Sequence, residues 1–172
     1  MKSIEDIKDR LLRLDEDASL LFDGDDRFIC IIVGGSALIL LGYLTRATHD
    51  IDMLRTPSEL FELLGKYDMN TNVSAHMDNF PDDYSERVHK LDLPTPKIDF
   101  YTLSLEDLVI SKLAAWRGKD EQDLTRDVVL LAIDWDQLAK SAEMVRMGIL
   151  SDRARGEFNL RYEEYVEKYH HA

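Results

Sequence analysis

A chain of 172 residues, 45% hydrophobic and 32% charged, is long enough to bury a core and ordinary for a globular protein. Its formal net charge of −13 opposes diffuse binding to nucleic-acid backbones, which reward clustered Lys and Arg through counterion release; a nucleic-acid substrate would need a local basic patch or a basic partner. The single cysteine, Cys30, excludes an internal disulfide and reads as a small core residue in a reducing compartment.

Ile4, Ile7, Leu11, Leu14 and Leu21 recur near one face of a helix over residues 3–22, with Ser3 as N-cap and Glu5 and Asp6 in the first turn. The chain opens on alternating charge rather than a basic segment followed by an apolar one, so no secretory leader is expected. Residues 28–44 carry no charge and approach the roughly 20 residues of a membrane span. Gly34-Gly35-Ser36 interrupts them, and Ile29, Ile31, Ile32 and Val33 favour strand. The expectation is a strand over 27–33, a turn and a buried helix over 36–44, in a cytoplasmic protein.

A second strand is expected over 50–54, where Asp alternates with Ile51 and Met53. Thr56 as N-cap, Pro57 at the first helical position and Glu59 closing a capping box predict a helix to about residue 67. Residues 68–92 are weakly patterned, with short strands expected near 72–76 and 87–91. A Leu93-Pro94-Thr95-Pro96 turn leads to a strand over 97–102 and a helix over 104–116. Further helices are predicted over 120–133, 136–147 and 152–169. The aromatics of the last (Phe158, Tyr162, Tyr165, Tyr169) fit a core or a homodimer contact better than a base-stacking platform. The expected fold is α+β: a small mixed sheet flanked by helices over 1–103, and a helical C-terminal region over 104–172 packed on it.

Three pieces of the sequence could carry chemistry. Gly34-Gly35-Ser36 lies where an apolar strand hands over to a helix, so the backbone can approach a phosphate and the Ser36 hydroxyl can join it. A turn that needs glycine for geometry alone would read the same. Asp50 and Asp52, two apart on a strand, project together and repel unless a cation sits between them; Mg²⁺ suits such oxygen ligands. Two surface acids at a strand end are the bland alternative. Asp99 sits on a later strand between core-facing Ile98 and Phe100, where it is either the third acid of a two-metal phosphoryl-transfer site or an edge acid paired with Lys97.

The order Gly34-Gly35-Ser36, Asp50-Ile51-Asp52 and a later strand Asp resembles the signature of the nucleotidyltransferase superfamily with the DNA polymerase β-like fold. Residues 32–38 with 46–52, and 111–124 with their Lys112 helix and Arg117-Gly118-Lys119 turn, look more narrowly like the AbiEii-like toxins of type IV toxin–antitoxin systems. The resemblance runs over about residues 28–127. It implies that Gly34, Gly35, Ser36 and Lys112 hold a nucleoside triphosphate, and that Asp50, Asp52 and Asp99 bind Mg²⁺ or Mn²⁺ and carry catalysis. Asp123 would orient Lys112 or Arg117, and Arg46 would pair with an acid near the site. The implied reaction transfers a nucleoside monophosphate from the triphosphate to a hydroxyl of tRNA or protein, with an antitoxin as partner. Two other readings compete: a nucleotide-binding regulatory protein on the same fold, and a purely structural module.

Overall fold

The computed structural model describes residues 3–171. The chain forms two compact units, one of the residues up to Ala75 with Val88–Leu103, the other of His76–Arg87 with the residues from Ser104 onward.

The first unit opens with α1 (Ile4–Leu21), whose Ser3 cap and Asp6 form a capping box. Its buried face runs Ile7, Arg10, Leu11, Leu14, Asp15 and Ala18, a helical stripe that carries two charged residues. The apolar run Phe28–Val33 is β1, and α2 (Gly34–Leu40) follows without a linker. The expected helix over 36–44 therefore starts two residues earlier and stops at Leu40. Gly42, at φ 85°, takes the left-handed turn that ends it, and the amides of Tyr43 and Leu44 both bond the Leu38 carbonyl.

β2 spans Ile51–Leu54. The next segment departs from expectation. Pro57 stays extended at φ −56°, ψ 137°, no side chain caps the start, and the residues form 3₁₀ turns on either side of a four-residue α3 (Phe61–Leu64). After β3 (Met69–Asn70), the predicted strand near 72–76 is instead a 3₁₀ stretch, Asn72–Asn79. Asn70 Oδ1 accepts the Asn72 amide at 3.0 Å, a local turn that competes with strand pairing. β4 (His89–Lys90) and β5 (Ile98–Thr102) complete the sheet.

Its strand order is β3-β2-β1-β5-β4, parallel for β1 with β5 and β2 with β3, antiparallel for the other two pairs. Paired residues on neighbouring strands share a face. One face buries Cys30, Ile32, Ile51, Met53, Ile98 and Phe100, and burial pushes the Cys30 thiol up to about 12. The other face carries Val33, Asp52, Tyr101, Asp99 and an Ile29 that is 51% exposed.

In the second unit, α4 (Leu105–Ala115) is capped by Ser104, which accepts the Asp107 amide. Asp107, fully buried, takes hydrogen bonds from Arg87 Nε and Nη2 and from Ser141 Oγ. The helix predicted over 120–133 is two, α5 (Asp120–Leu124) and α6 (Asp127–Ala132). Leu124 and Val129 are both buried, yet residues five apart fall on different faces of a continuous helix; the break at Thr125 and Arg126 lets each face inward. α7 (Trp135–Gly148) and α8 (Asp152–Tyr169) follow, with Phe158 and Tyr165 of α8 in the core. The whole is α+β, a five-stranded mixed sheet with flanking helices and a helical C-terminal half. No described helix is long and apolar enough to cross a membrane.

Candidate functional site

The antiparallel register sets Val33, the last residue of β1, opposite Asp52 of β2. The glycine turn and the Asp50-Ile51-Asp52 segment therefore meet at one end of the sheet. Gly34 has φ 66°, a left-handed conformation that costs any other residue roughly 1–2 kcal/mol. A Cβ there would lie 3.3 Å from Asp52 Oδ2, and one on Gly35 would lie 3.0 Å from Arg46 Nη2. Gly34 is required by its backbone conformation and its approach to the Asp52 carboxylate, while at Gly35 only the flexible end of the Arg46 side chain would have to move. Ser36 is buried and its hydroxyl donates to the Val33 carbonyl at 3.3 Å.

Asp50 is exposed and immediately precedes β2, while Asp52 is half-buried and Ile51 between them is fully buried. Thr48 Oγ1 donates to the Asp50 carbonyl at 3.3 Å, steadying the turn into the strand. Among the described residues no group of three His, Cys, Asp or Glu side chains could hold a metal ion. Asp50 and Asp52 offer hard oxygen donors, and the Asp52 carboxylate lies against Gly34, where a Cβ would come within 3.3 Å of its Oδ2. That donor set fits Mg²⁺, which keeps several waters and fills its octahedron from substrate phosphates.

Asp99 stands elsewhere. It is registered with Ile29, four residues from Val33 on β1, which places it on the same face as Asp52 but about 13 Å down the strand. Arg27 Nη2 and Lys90 Nζ hold its carboxylate at 2.6 and 3.2 Å. The hydrogen bonds from Arg27, then Lys90, keep its pKa below the ordinary carboxylate value. The anticipated partner, Lys97, instead donates to the Gly24 carbonyl. The structure does not bring Asp99 to the Asp50–Asp52 pair. Beyond Thr102, opposite Ile32, the chain continues into a buried Leu103 rather than an acid.

The remaining sequence candidates belong to the second unit. Lys112, buried, donates to Asp120 Oδ1 at 2.7 Å and Asp123 Oδ2 at 3.1 Å. Arg117 is exposed, and its amide donates to Asp120 Oδ2 at 2.6 Å. Asp120 is thus the nearer carboxylate to Lys112, a role that sequence reasoning did not give it. It also missed Arg10, whose signal was visible: a charged residue at the i+3 and i−4 positions of the Ile7–Leu14 stripe.

A strand, a left-handed glycine turn and a helix, with a D-x-D segment brought alongside by an antiparallel partner, make a class of site suited to phosphate and a divalent cation. The chain belongs to the family described as "Nucleotidyltransferase of unknown function (DUF6036)", whose model matches residues 9–170. No curated protein and no solved structure matches the chain. Membership sets the class, nucleotidyl transfer, and with it a nucleoside triphosphate as substrate.

Proposed function

We propose that the glycine turn and the Asp50–Asp52 pair form a metal-dependent site that transfers a nucleoside monophosphate to a hydroxyl of tRNA or protein. The reading extends to the toxin of a toxin–antitoxin pair, the role implied by the resemblance to AbiEii-like proteins. The observation that carries it is the left-handed Gly34, which brings the glycine turn against the Asp52 carboxylate, so that a Cβ there would come within 3.3 Å of Asp52 Oδ2. Bound Mg²⁺ or Mn²⁺ supplies charge neutralisation at the transferring phosphoryl group. Asp50 and Asp52 would hold the cation, and their separation by one buried residue keeps both carboxylates at the same strand end. The backbone amides of the turn would receive the phosphates, and the Arg46 guanidinium beside Gly35 would add positive charge there.

The position of Asp99 favours a second reading, a nucleotide-binding regulatory protein without turnover. The D-x-D pair then binds triphosphate and cation, and no third carboxylate activates the acceptor.

One experiment separates these readings. A nucleoside triphosphate with Mg²⁺ is expected to raise the melting temperature of the wild-type chain, since a ligand of the folded state stabilises it by mass action. Asp52→Asn, close in shape, is expected to remain folded and lose that shift; a shift of full size in the variant would remove the pair from the site. Labelled triphosphates incubated with tRNA and cell protein then report turnover. Binding without any labelled acceptor would select the regulatory reading.

A further inference from the structure

The buried stripe of α1 carries two charged residues, Arg10 and Asp15, only 6% and 3% exposed. Asp15 has a plain structural use: its Oδ1 accepts the amides of Lys97 and Ile98 at 2.9 and 2.7 Å, fastening α1 to the start of β5. Arg10 is different. No carboxylate lies within ion-pair distance of it among the described residues. Its Nη1 donates to the Tyr67 carbonyl at 2.7 Å, with the carbonyls of His49 and Asp68 at 3.4 and 3.5 Å. Its Nε and Nη2 are buried without a partner.

A buried guanidinium without a carboxylate is expensive, and an apolar residue would fill the same stripe without that cost. What the charge does is visible in the carbonyls it gathers. His49 immediately precedes Asp50, and Asp68 immediately precedes β3. The Ile51 amide in turn donates to the Asp68 carbonyl at 3.0 Å. Arg10 therefore clamps the point where β2 and β3 begin, the backbone from which Asp50 projects. Asp68, Asp6 and Asp50 are the carboxylates whose field reaches it.

We infer that Arg10 is a positioning residue for the Asp50–Asp52 pair, fixing the Asp50 backbone through the His49, Tyr67 and Asp68 carbonyls. The inference rests on the reading that this pair holds the cation. Arg10 acts through the carbonyls at the strand start, as residues behind metal ligands do when they set ligand orientation.

The test is Mn²⁺ binding to the folded protein without nucleotide, followed by the electron paramagnetic resonance of free Mn²⁺, beside melting temperatures. Arg10→Met is expected to weaken Mn²⁺ binding about 10–100-fold, the range found when partners behind metal ligands are removed. Arg10→Lys, which restores the charge and part of the donor set, is expected to recover part of that loss. Asp15→Asn weakens the other buried anchor of the same helix by turning a charged acceptor of two amides into a neutral one; it is expected to lower the melting temperature and leave Mn²⁺ affinity unchanged. An Arg10→Met protein that folds and binds Mn²⁺ like wild type overturns the inference. If that variant does not fold, an Arg10→Lys protein with wild-type affinity, or an Asp15→Asn protein weakened equally, overturns it. Failure of the underlying reading has its own signature: wild type that binds no Mn²⁺, or Asp52→Asn that binds as wild type, removes the cation site and the inference with it.

Discussion

Two of the carboxylate pairs in this molecule are built in opposite ways. In the helical unit, Asp120 and Asp123 are buried and close on the Lys112 ammonium. At the sheet end, Asp50 is exposed and Asp52 half-buried, beside a turn from which side chains have been removed. The first arrangement is closed around its own cation; the second is more exposed to solvent. Under the proposed function, burial separates carboxylates that hold the fold together from carboxylates that receive a ligand. Substitutions should divide along the same line, some losing stability, others losing ligand.

The largest effect is expected at Lys112. Lys112→Met removes the ammonium that the buried Asp120 and Asp123 share, and breaking a buried ion pair from one side costs about 3–5 kcal/mol. In a chain of this size that is a fall in melting temperature of roughly 6–20 °C, read by thermal denaturation. The comparison breaks if the variant melts like wild type. It sharpens if the variant, studied where it is still folded, also loses its nucleotide-dependent shift: the lysine then serves the phosphates, as its resemblance to AbiEii-like proteins implies.

Gly34→Ala comes next, because it touches both properties at once. The left-handed φ of 66° costs roughly 1–2 kcal/mol for alanine, and the new methyl would sit 3.3 Å from Asp52 Oδ2. A modest fall in melting temperature should accompany loss of most of the stabilisation by Mg²⁺ and nucleotide. Stability lost with the ligand shift intact would reduce the glycine to a device of backbone geometry.

These two sites were unequally legible in the sequence. The glycine turn and the D-x-D segment could be read because the signal is local: an apolar strand, a Gly-Gly break and an alternating strand, each within a few residues. Register was not readable. Asp99 alternates correctly between Ile98 and Phe100, and its face was assigned rightly, but alternation does not fix how far along the strand a residue lies from its neighbours. That depends on the β1–β5 pairing, a contact between residues about seventy apart in sequence. Thr56-Pro57-Ser58-Glu59 was misread for another reason. The motif matched a capping box, but the extended Pro57 and short 3₁₀ turns won over helix propensity in a segment too short to propagate. Arg10 lies on an apolar stripe whose helical period is set by its hydrophobic members alone, so that period by itself carries no sign of the buried charge.

The smallest effect is expected at Asp99, and its smallness is the point. Its carboxylate is held by Arg27 and Lys90 on the partly open face of the sheet, and such pairs contribute little. The hydrogen bond from Arg27, then that from Lys90, depresses its folded pKa below the ordinary 3.8. A carboxylate depressed on folding contributes stability above its unfolded pKa and loses it as pH falls through the folded value. Asp99→Asn should therefore lower the melting temperature slightly at neutral pH, with the difference from wild type shrinking below about pH 4 and vanishing once the native carboxylate is protonated. Mn²⁺ affinity should stay at the wild-type value, because the register offsets Asp99 from Asp52 by about 13 Å along the strand direction and by two strands across the sheet. If Asp99→Asn instead lost Mn²⁺ binding while keeping its neutral-pH stability, the carboxylate would belong with Asp50 and Asp52, and the division between closed and open acids would have to be redrawn around it.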